Sequence, residues 1–322
     1  MAADERLERK SMRQIHISAV AVGLFVLMCG TVRALSQQTS GEGVPAHLVV
    51  TVEPHKGTTV PEISSNEVMV YEGHDRDKVL EWIPARGDHA ALQMFFLIDD
   101  TLNQTVGTQL EDIRQFISHQ PATTQIGIAF MQNGIARVEQ ELTSDHQQVV
   151  KALRLPLGYP GVNASPYFSL SDLIKKWAAT SARRAVFMVT DGVDRFYGIG
   201  DLQDPYLDAA IDEAVRAGVT VSAVYYPSAG HFGHSYWQSY WGQIYLSKIA
   251  DETGGEAYYI GFTGPPLAFG PYFDELGDRL SHQYLLTFLA KRPKKAGWQR
   301  MRLMTEIPKV DLVAPKRVWV SP

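Results

Sequence analysis

The period of apolar and polar positions differs between the two ends of this chain and its middle. Near the beginning, short alternating or β-branched runs cover residues 47–52, 67–71 and 78–82, and clusters of Pro, Gly, Asn and Asp separate them. Short runs of this kind with turn residues between them are typical of antiparallel strands. The first part of the chain is therefore predicted to form a β-meander.

The middle of the chain alternates strands with helices. Continuous apolar runs at residues 94–98, 185–190 and 219–225 have the length of a strand and predict strands that are buried on both faces. A further strand is predicted at 125–132. Amphipathic periods predict helices at residues 110–118, 144–153, 171–180, 207–217 and 243–252. Strands that alternate with helices form parallel βαβ units, so the predicted fold class is α/β with a doubly wound, mainly parallel sheet.

The end of the chain returns to strands. Residues 283–290, 299–306 and 311–320 have strand patterns. Two β segments on either side of one α/β core are explained most simply by one small antiparallel β-domain, whose strands pair across the core. The predicted division is an N-terminal β segment at 37–90, an α/β domain at 91–282 and a C-terminal β segment at 283–322.

Residues 1–36 have the features of a secretory signal peptide. Basic residues precede an apolar run at 15–32, and the small-x-small sequence Ala34-Leu35-Ser36 follows. The run is short for a membrane-spanning helix, which needs about 20 apolar residues. An uncleaved membrane anchor is nevertheless kept as the alternative interpretation. A lipoprotein signal at Cys29 is disfavoured by the bulky Met28 before it. The mature protein is predicted to be exported, periplasmic or extracellular, with no membrane span after removal of the signal.

Composition and charge exclude several classes of protein. The chain has 322 residues, with 30 Lys and Arg against 35 Asp and Glu, and its formal charge of -5 argues against nucleic-acid binding. Hydrophobic residues make up 45% of the chain, as in globular proteins. The single cysteine, Cys29, excludes a disulfide framework and a cysteine-ligated zinc site.

Oxygen-bearing side chains follow two of the predicted buried strands. Asp99 and Asp100 end the first of them, and Asp191 follows the second. Ligands of open α/β sheets bind at the carboxyl ends of the strands, and a hard cation such as Mg²⁺ prefers carboxylate, hydroxyl and amide oxygens. These positions therefore predict a cation site at one edge of the sheet. Shortly afterwards, Asp194 and Arg195 are expected to form a local ion pair.

Three motifs follow the strand that ends in Asp99. They are Thr190-Asp191-Gly192, Arg216-Ala217-Gly218-Val219-Thr220-Val221 and Ile249-Ala250-Asp251-Glu252-Thr253-Gly254-Gly255. In this order and strand context, the stretch from about Met94 to Phe262 resembles a von Willebrand factor A domain. With the flanking β segments, including His282-Gln283-Tyr284-Leu285-Leu286, nearly the whole predicted mature chain resembles the bacterial VWFA-related exported proteins of the Acidobacteria type. The resemblance implies a Rossmann-like sheet of the von Willebrand A type.

The resemblance also implies a metal-ion-dependent adhesion site, which the family writes as Asp-x-Ser-x-Ser with a Thr on a second loop and an Asp on a third. By position, Asp99 corresponds to the first Asp, and Thr101 and Asn103 correspond to the two serines. Ser165 is nearest to the loop Thr, and Asp191 corresponds to the third-loop Asp. Each position keeps an oxygen but few keep the usual residue, so the predicted site is degenerate.

Two interpretations of this site stay open. In one, it binds Mg²⁺, or Mn²⁺ or Ca²⁺, and a carboxylate of a partner protein completes the coordination, as the resemblance implies; Ser169 is then a second candidate for the loop Thr. In the other, the site is vestigial and metal-free, and Asp99 and Asp191 cap helices or hold turns.

An aromatic segment follows the third buried strand. It runs from Tyr226 to Trp241 and includes Phe232, His234 and Trp237, which are expected to be exposed and to bind a partner. A loop at this place stands on the same edge as the predicted cation site. In the alternative interpretation, the rings at 236, 237, 240 and 241 form the buried face of the next helix, because their spacing fits a helix.

The sequence is expected to encode a binding protein and not an enzyme. It contains no Gly-x-Ser-x-Gly elbow, no phosphate-binding Gly loop and no His-Glu-x-x-His helix. The predicted function is an exported protein-binding, or adhesion, module that presents the degenerate site and the aromatic loop to a protein partner. The alternative is a structural or assembly scaffold of the cell envelope that works through the sheet edges of the β-domain. A metal-assisted hydrolase is the third possibility.

Overall fold

The computed structural model describes residues 43–55, 59–158, 161, 163–198, 203–228 and 235–322. The predicted signal peptide at 1–36 lies outside these residues, and so do the two partner-binding candidates Phe232 and His234. No helix within the described ranges is long and apolar enough to cross a membrane.

The strands and helices of the described residues have the following bounds. The strands are β1 (Val44–Pro54), β2 (Val68–Glu72), β3 (Asp75–Pro84), β4 (Leu92–Asp99), β5 (Thr124–Gln132), β6 (Ile135–Thr143), β7 (Arg183–Thr190), β8 (Val219–Tyr225), β9 (Ala257–Tyr258), β10 (Gln283–Ala290), β11 (Gly297–Arg300), β12 (Arg302–Thr305), β13 (Val310–Val313) and β14 (Arg317–Val320). The helices are α1 (Leu110–His119), α2 (His146–Ala152), α3 (Pro166–Lys176), α4 (Pro205–Ala217), α5 (Tyr236–Thr253) and α6 (Gly270–Ser281).

One sheet has six strands in the order β6-β5-β4-β7-β8-β9. All neighbouring strands in it are parallel except β6, which runs antiparallel to β5 at the edge. In the central strand β4, Met94, Phe96 and Ile98 enter the core on one face, whereas Phe95 and Leu97 enter the core on the other. Both faces are covered by helices, which explains why this strand is an unbroken apolar run.

The second sheet is antiparallel and is built from both ends of the described chain. Its order is β12-β2-β3-β10-β1-β13, so β10 from the end of the chain lies between β3 and β1 from the beginning. Alternate residues, among them Val50, Val70 and Phe288, form its own core. The edge strands β12 and β13 approach each other, and the sheet therefore curves almost into a closed barrel. Strands β11 and β14 pair separately as a two-stranded ribbon.

Arg183 joins the two places where the chain crosses between the sheets. Its Nη2 donates to the carbonyl of Ala90 at 3.0 Å on the first crossing, and its Nη1 donates to the carbonyl of Leu280 at 3.0 Å on the second. The backbone N–H of Ala85 also donates to the carbonyl of Gln283 at 2.9 Å. Arg183 is only 8% exposed, and among the described residues it forms no ion pair with a carboxylate; its acceptors are carbonyl and amide oxygens. Burial lowers the pKa of Arg183 to about 10.

The observed bounds differ from the predicted ones where caps and turns decide them. Strands β8 and β10 have the predicted bounds, but α3 begins at Pro166 and not near 171, because Ser165 is its N-cap and a proline fits the first turn. Helix α5 begins at Tyr236, seven residues before the predicted start, with Ser235 as its cap. Strands β6 and β9 and helix α6 were not predicted. The predicted strands at 299–306 and 311–320 are each divided into two, as β11 with β12 and β13 with β14.

Candidate functional site

Asp99 stands at the carboxyl end of β4, where its side chain is 3% exposed. Its Oδ1 accepts a hydrogen bond from the backbone N–H of Thr101 at 2.9 Å. Its Oδ2 accepts one from the hydroxyl of Thr190, the last residue of β7, at 2.8 Å. Asp99 therefore links the ends of two adjacent parallel strands.

Asp191 follows β7 directly and is fully buried. Its Oδ1 accepts a hydrogen bond from the backbone N–H of Val193 at 2.9 Å, and the hydroxyl of Ser228 donates to its Oδ2. The guanidinium of Arg195 contacts both carboxylate oxygens, with Nη2 against Oδ2 and Nη1 at 3.4 Å from Oδ1. Asp191 is thus paired with a cation from its own loop.

Ser228 connects this ion pair to the Asp99 side. Arg195 Nη2 donates to the Ser228 hydroxyl at 2.7 Å, and the hydroxyls of Ser228 and Thr101 are 3.0 Å apart. A backbone bridge between Leu102 and Ser228 holds the two loops together. We call these linked side chains the Asp99–Asp191 cluster; its members are Asp99, Thr101, Thr190, Asp191, Arg195 and Ser228.

Two of the predicted site residues have other partners. The side chain of Asn103 accepts from the backbone N–H of Thr105 at 2.9 Å, and so caps the short 3-10 helix that follows. The hydroxyl of Ser165 donates to Asp194 Oδ2 at 2.8 Å. Of the predicted residues, Asp99, Thr101 and Asp191 are linked by hydrogen bonds. Ser165 lines the same small cavity as Asp99 and Thr101 but is bonded to Asp194, and Asn103 caps a helix.

Asp194 organises the loop after β7. Its Oδ1 accepts from the backbone N–H groups of Phe196 at 2.8 Å and Tyr197 at 2.9 Å. The expected ion pair between Asp194 and Arg195 is wrong, because the guanidinium turns back to Asp191. An Asp side chain that binds the amides two and three residues later stabilises a tight turn, and this is the function of Asp194 here.

Asp100 faces a different partner from Asp99. Arg154 forms a two-pronged ion pair with it, with Nη1 at 2.6 Å from Oδ1 and Nη2 at 2.9 Å from Oδ2. The same guanidinium lies 3.6 Å from the centre of the Phe130 ring. The extra charge that Asp100 adds to the motif is therefore neutralised outside the cluster.

The two carboxylates of the cluster lie in a low-dielectric environment. Burial raises the pKa of Asp99, the neighbouring Asp191 raises it further, and Arg195 opposes the rise. Burial would lower the pKa of Arg195, but Asp191 and then Asp99 outweigh that effect, so its pKa is raised and it stays charged. An uncompensated buried carboxylate is costly, and Arg195 supplies the compensation.

The donor set in this arrangement does not fit a divalent cation. Both carboxylate oxygens of Asp191 are already occupied by the guanidinium of Arg195. The cavity between Asp99, Thr101, Ser165 and Arg195 has a volume of about 10 Å³, which is the lower limit for one water molecule. Within the described part of the chain, no three His, Cys, Asp or Glu side chains are grouped as a metal site requires.

The cluster lies at the point where the strand order of the sheet reverses. Taken in chain order, β4 to β9 are arranged 3-2-1-4-5-6, and the order reverses between β4 and β7. Asp99 and Asp191 stand at the carboxyl ends of these two strands, which is where doubly wound sheets bind ligands. The α/β part of the chain is a doubly wound domain, as its resemblance to von Willebrand factor A domains implied, and we call it the A-type domain. Both acidic positions of the resembled motif, Asp99 and Asp191, lie at this edge, and the guanidinium of Arg195 is paired with Asp191.

No family model matches the chain, and no curated protein was found to match it. Solved structures similar to it include an aerotolerance-related membrane protein from Bacteroides fragilis, with 13% identity, 59% of this chain and 98% of that chain covered, and a TM-score of 0.42. The conserved hypothetical protein BatB from Bacteroides thetaiotaomicron has 11% identity, the same coverage of 59% and 98%, and a TM-score of 0.43. The ArnB paralogue VWA2 from Sulfolobus acidocaldarius has 7% identity, 86% of this chain and 74% of that chain covered, and a TM-score of 0.37. These similarities say nothing about what this chain binds.

Trp237 lies in the first turn of α5 and is 63% exposed. Tyr236 and Tyr240 beside it are exposed as well, whereas Tyr245, two turns further on, is fully buried. The expected exposure of Trp237 is therefore observed, and the alternative interpretation, in which the rings at 236, 237 and 240 form a buried face, is wrong. The segment is helical from Tyr236, but the rings of its first turn face solvent.

Arg195 and Ser228 belong to the cluster and were not assigned to it from the sequence. Arg195 is four residues after Asp191, a spacing that allows a side chain to fold back in a tight loop. Ser228 lies three residues after β8, and the pairing of β8 with β7 together with the bridge to Leu102 brings it to Asp191. The signal for Arg195 was therefore present in the sequence, whereas the place of Ser228 depends on the tertiary structure.

Proposed function

We propose that this chain is an exported protein-binding module that holds its partner at the carboxyl edge of the A-type domain. The observation that carries the proposal is the exposure of large aromatic rings at that edge. Tyr236 is 66% exposed and Trp237 is 63% exposed. Tyr and Trp contribute most of the binding energy in protein interfaces, and a soluble protein rarely exposes several together without such a function.

The exposed rings of α5 support one another. The centres of Tyr236 and Trp237 are 5.7 Å apart, and those of Trp237 and Tyr240 are 6.2 Å apart. A further series of ring contacts leads inwards through Trp241 and Tyr245 to the buried Tyr167. Rings that are fixed before binding lose little conformational entropy when a partner arrives, and this favours affinity.

Two other loops add apolar groups at the same edge. Phe262 and Leu267 follow β9, and Leu267 is 99% exposed. The loop after β9 is held to α5, because the backbone N–H of Gly261 donates to the side chain of Gln243 at 2.6 Å. Phe196, in the loop after β7, is exposed and contacts the ring of Phe168 at 5.1 Å. Loops that leave the carboxyl ends of parallel strands lie on one edge, so these groups supplement the α5 rings.

A hydrolytic function has less support. The residues that line the cavity beside Asp99 include no His and no Lys that could transfer a proton. The guanidinium of Arg195 has a raised pKa and is paired with Asp191, so it is unsuited to be an acid or a base. Export is proposed from the basic and apolar pattern of residues 1–36 alone.

The proposal is tested by capture of proteins from the envelope fraction of the organism that encodes the chain. We expect a Tyr236→Ser, Trp237→Ser variant to lose a captured partner that the unaltered chain retains. Met304→Ser is the matched control, since Met304 is 41% exposed on the edge strand β12 of the other sheet. Capture that survives the α5 substitutions and is lost in Met304→Ser would contradict the proposal and favour an envelope scaffold.

A further inference from the structure

The guanidinium of Arg195 occupies the position between the strand-end oxygens that a bound cation would need. It lines the same 10 Å³ cavity as Asp99, Thr101 and Ser165, and it contacts Asp191 and Ser228 directly. The side chain of Arg195 is 9% exposed, so it is enclosed by these groups and does not project into solvent. A cation and this guanidinium cannot occupy this space together.

The charge of Arg195 also matches what the site requires. Two buried carboxylates at the ends of adjacent strands repel each other and lose hydration, and both effects destabilise the fold unless a positive charge lies beside them. Arginine is suited to this position, because its planar fork can contact two oxygens of one carboxylate and a third acceptor at once. Asp191 Oδ1, Asp191 Oδ2 and Ser228 Oγ are these three acceptors.

The hydroxyl groups of the cluster are also engaged in hydrogen bonds. Thr190 donates to Asp99, Ser228 donates to Asp191, and the Thr101 hydroxyl is 3.0 Å from that of Ser228. A divalent ion would have to displace Arg195 and break this network. It would then leave a buried guanidinium without its carboxylate, which is expected to cost more than the new ligand bonds return.

We infer that Arg195 is a built-in cation of this A-type domain, so that the carboxyl edge keeps its structure without a divalent metal ion. The arginine pairs with Asp191 from a position four residues along the same loop and offsets part of the negative charge of the two strand-end carboxylates. Removal of its side chain should leave two carboxylates, three hydroxyls and an open cavity, which is a set of ligands that a hard divalent cation accepts. The variant should therefore acquire the metal dependence that the unaltered chain lacks.

The test compares melting temperatures of the purified full chain in EDTA and in millimolar Mg²⁺, Mn²⁺ or Ca²⁺. We expect the melting temperature of the unaltered chain to be the same in all four conditions. Arg195→Ala should melt at a lower temperature in EDTA, and its melting temperature should rise with the concentration of Mn²⁺ or Mg²⁺, since an ion that binds only the folded state stabilises it. The test needs no partner, so the inference can fail while the proposed function stands.

Arg154→Ala is the matched control. It removes another partly buried arginine from a carboxylate at the same end of β4, but it leaves Asp99, Asp191 and Arg195 unchanged. Its melting temperature should fall without becoming dependent on the ion. A rise in the melting temperature of the unaltered chain with any of the three ions would overturn the inference, as would an Arg195→Ala variant that folds and does not respond to them.

If Arg195→Ala does not fold, titration of the unaltered chain with Mn²⁺ decides the question by calorimetry. Heat that saturates at one ion per chain overturns the inference. The absence of such heat, together with a folded Arg154→Ala variant, supports it, because the loss of folding is then specific to the arginine in the cluster.

Discussion

Gly242 of α5 lies directly against the main chain of Asp191. A Cβ atom at position 242 would overlap the carbonyl oxygen of Asp191, and one at Gly192 would overlap the carbonyl oxygen of Gly242. Gly192 also has a φ of 70°, in the left-handed region that favours glycine. The missing side chains let the helix with the exposed rings sit on the loop that holds the carboxylate.

Gly242→Ala should therefore destabilise the protein, although alanine normally stabilises a helix. We expect the free energy of unfolding to fall by about 1–3 kcal/mol, the usual cost of forcing an extra methyl group into a packed contact. Gly277→Ala in α6 is the control, because nothing lies within 4 Å of a Cβ at that position. It should raise the free energy of unfolding by roughly 0.5–1 kcal/mol. Urea unfolding measures both free energies. An equal increase in the two variants would contradict the close contact between Gly242 and Asp191.

Ser165→Ala should destabilise the loop after β7 and the start of α3 together. Its hydroxyl donates to Asp194 and also accepts from the backbone N–H of Phe168 at 3.4 Å as the N-cap of α3. Loss of a cap and of a bond to a charged acceptor should reduce the free energy of unfolding by about 1–3 kcal/mol. Ser169→Ala, which removes only a hydroxyl bonded to the carbonyl of Ser165, should cost less than half as much. A larger loss in Ser169→Ala would contradict this assignment of Ser165.

Arg183→Met should weaken the connection between the two sheets. The carbonyls of Ala90 and Leu280 lose their charged donor, so we expect a loss of about 2–4 kcal/mol in the free energy of unfolding. Hydrogen exchange of the Ala85 amide, which bonds to Gln283, should accelerate more than exchange within either sheet. The control is Arg184→Met, since Arg184 is half-buried and donates to the carbonyl of Ala217; it should leave the Ala85 amide protected. Unchanged protection of Ala85 in Arg183→Met would refute the connecting function.

Asp77 of β3 should make the stability of the antiparallel sheet depend on pH. Burial raises its pKa from 3.8 to about 6, Lys291 partly opposes the rise and Asp75 adds to it. The folded state then binds the proton more tightly, so this contribution to stability is largest below pH 3.8 and is lost as the pH rises to about 6. Asp77→Asn should therefore stabilise the protein above pH 6 and have little effect below pH 4.

Asp75→Asn provides the opposite case for this pH dependence. The hydrogen bond and the charge of Lys291 lower the pKa of Asp75, so its contribution is present at neutral pH and is lost in acid. Its substitution should destabilise the protein at neutral pH and have little effect in acid. Urea unfolding at several pH values gives the change in the free energy of unfolding that each substitution causes. If this change varies with pH in the same direction for Asp77→Asn and Asp75→Asn, the assignment is contradicted.

The sequence predicted the strands more reliably than the helix ends. Strands β8 and β10 are continuous or strongly patterned apolar runs, and their bounds agree with the prediction. Helix α3 begins five residues earlier than expected, because Ser165 caps it and Pro166 fits its first turn. Helix α6 begins at a Gly-Pro pair that suggests a turn, and so it was missed although its Phe273 and Leu276 enter the core.

The candidate site was predictable as far as strand ends define it. Asp99, Thr101 and Asp191 meet because parallel strands bring their carboxyl ends to one edge, and this follows from the pattern of the chain. The partners of Asn103 and Ser165 could not be predicted in the same way, since short-range turns compete for their side chains. Arg195, which supplies a positive charge beside Asp191, is not a metal ligand by type, and so the metal motif does not predict it.

The hydrogen bond between Ala85 and Gln283 has a consequence for how this architecture can change. The main chain leaves the antiparallel sheet at the end of β3 and returns to it in β10, the strand beside β3. The A-type domain is therefore inserted into the sheet sequence, and its two ends are in contact. Replacement of the A-type domain by a related domain with a different carboxyl edge would leave every strand pair of the antiparallel sheet in register. The sheet and the inserted domain can therefore vary independently of each other.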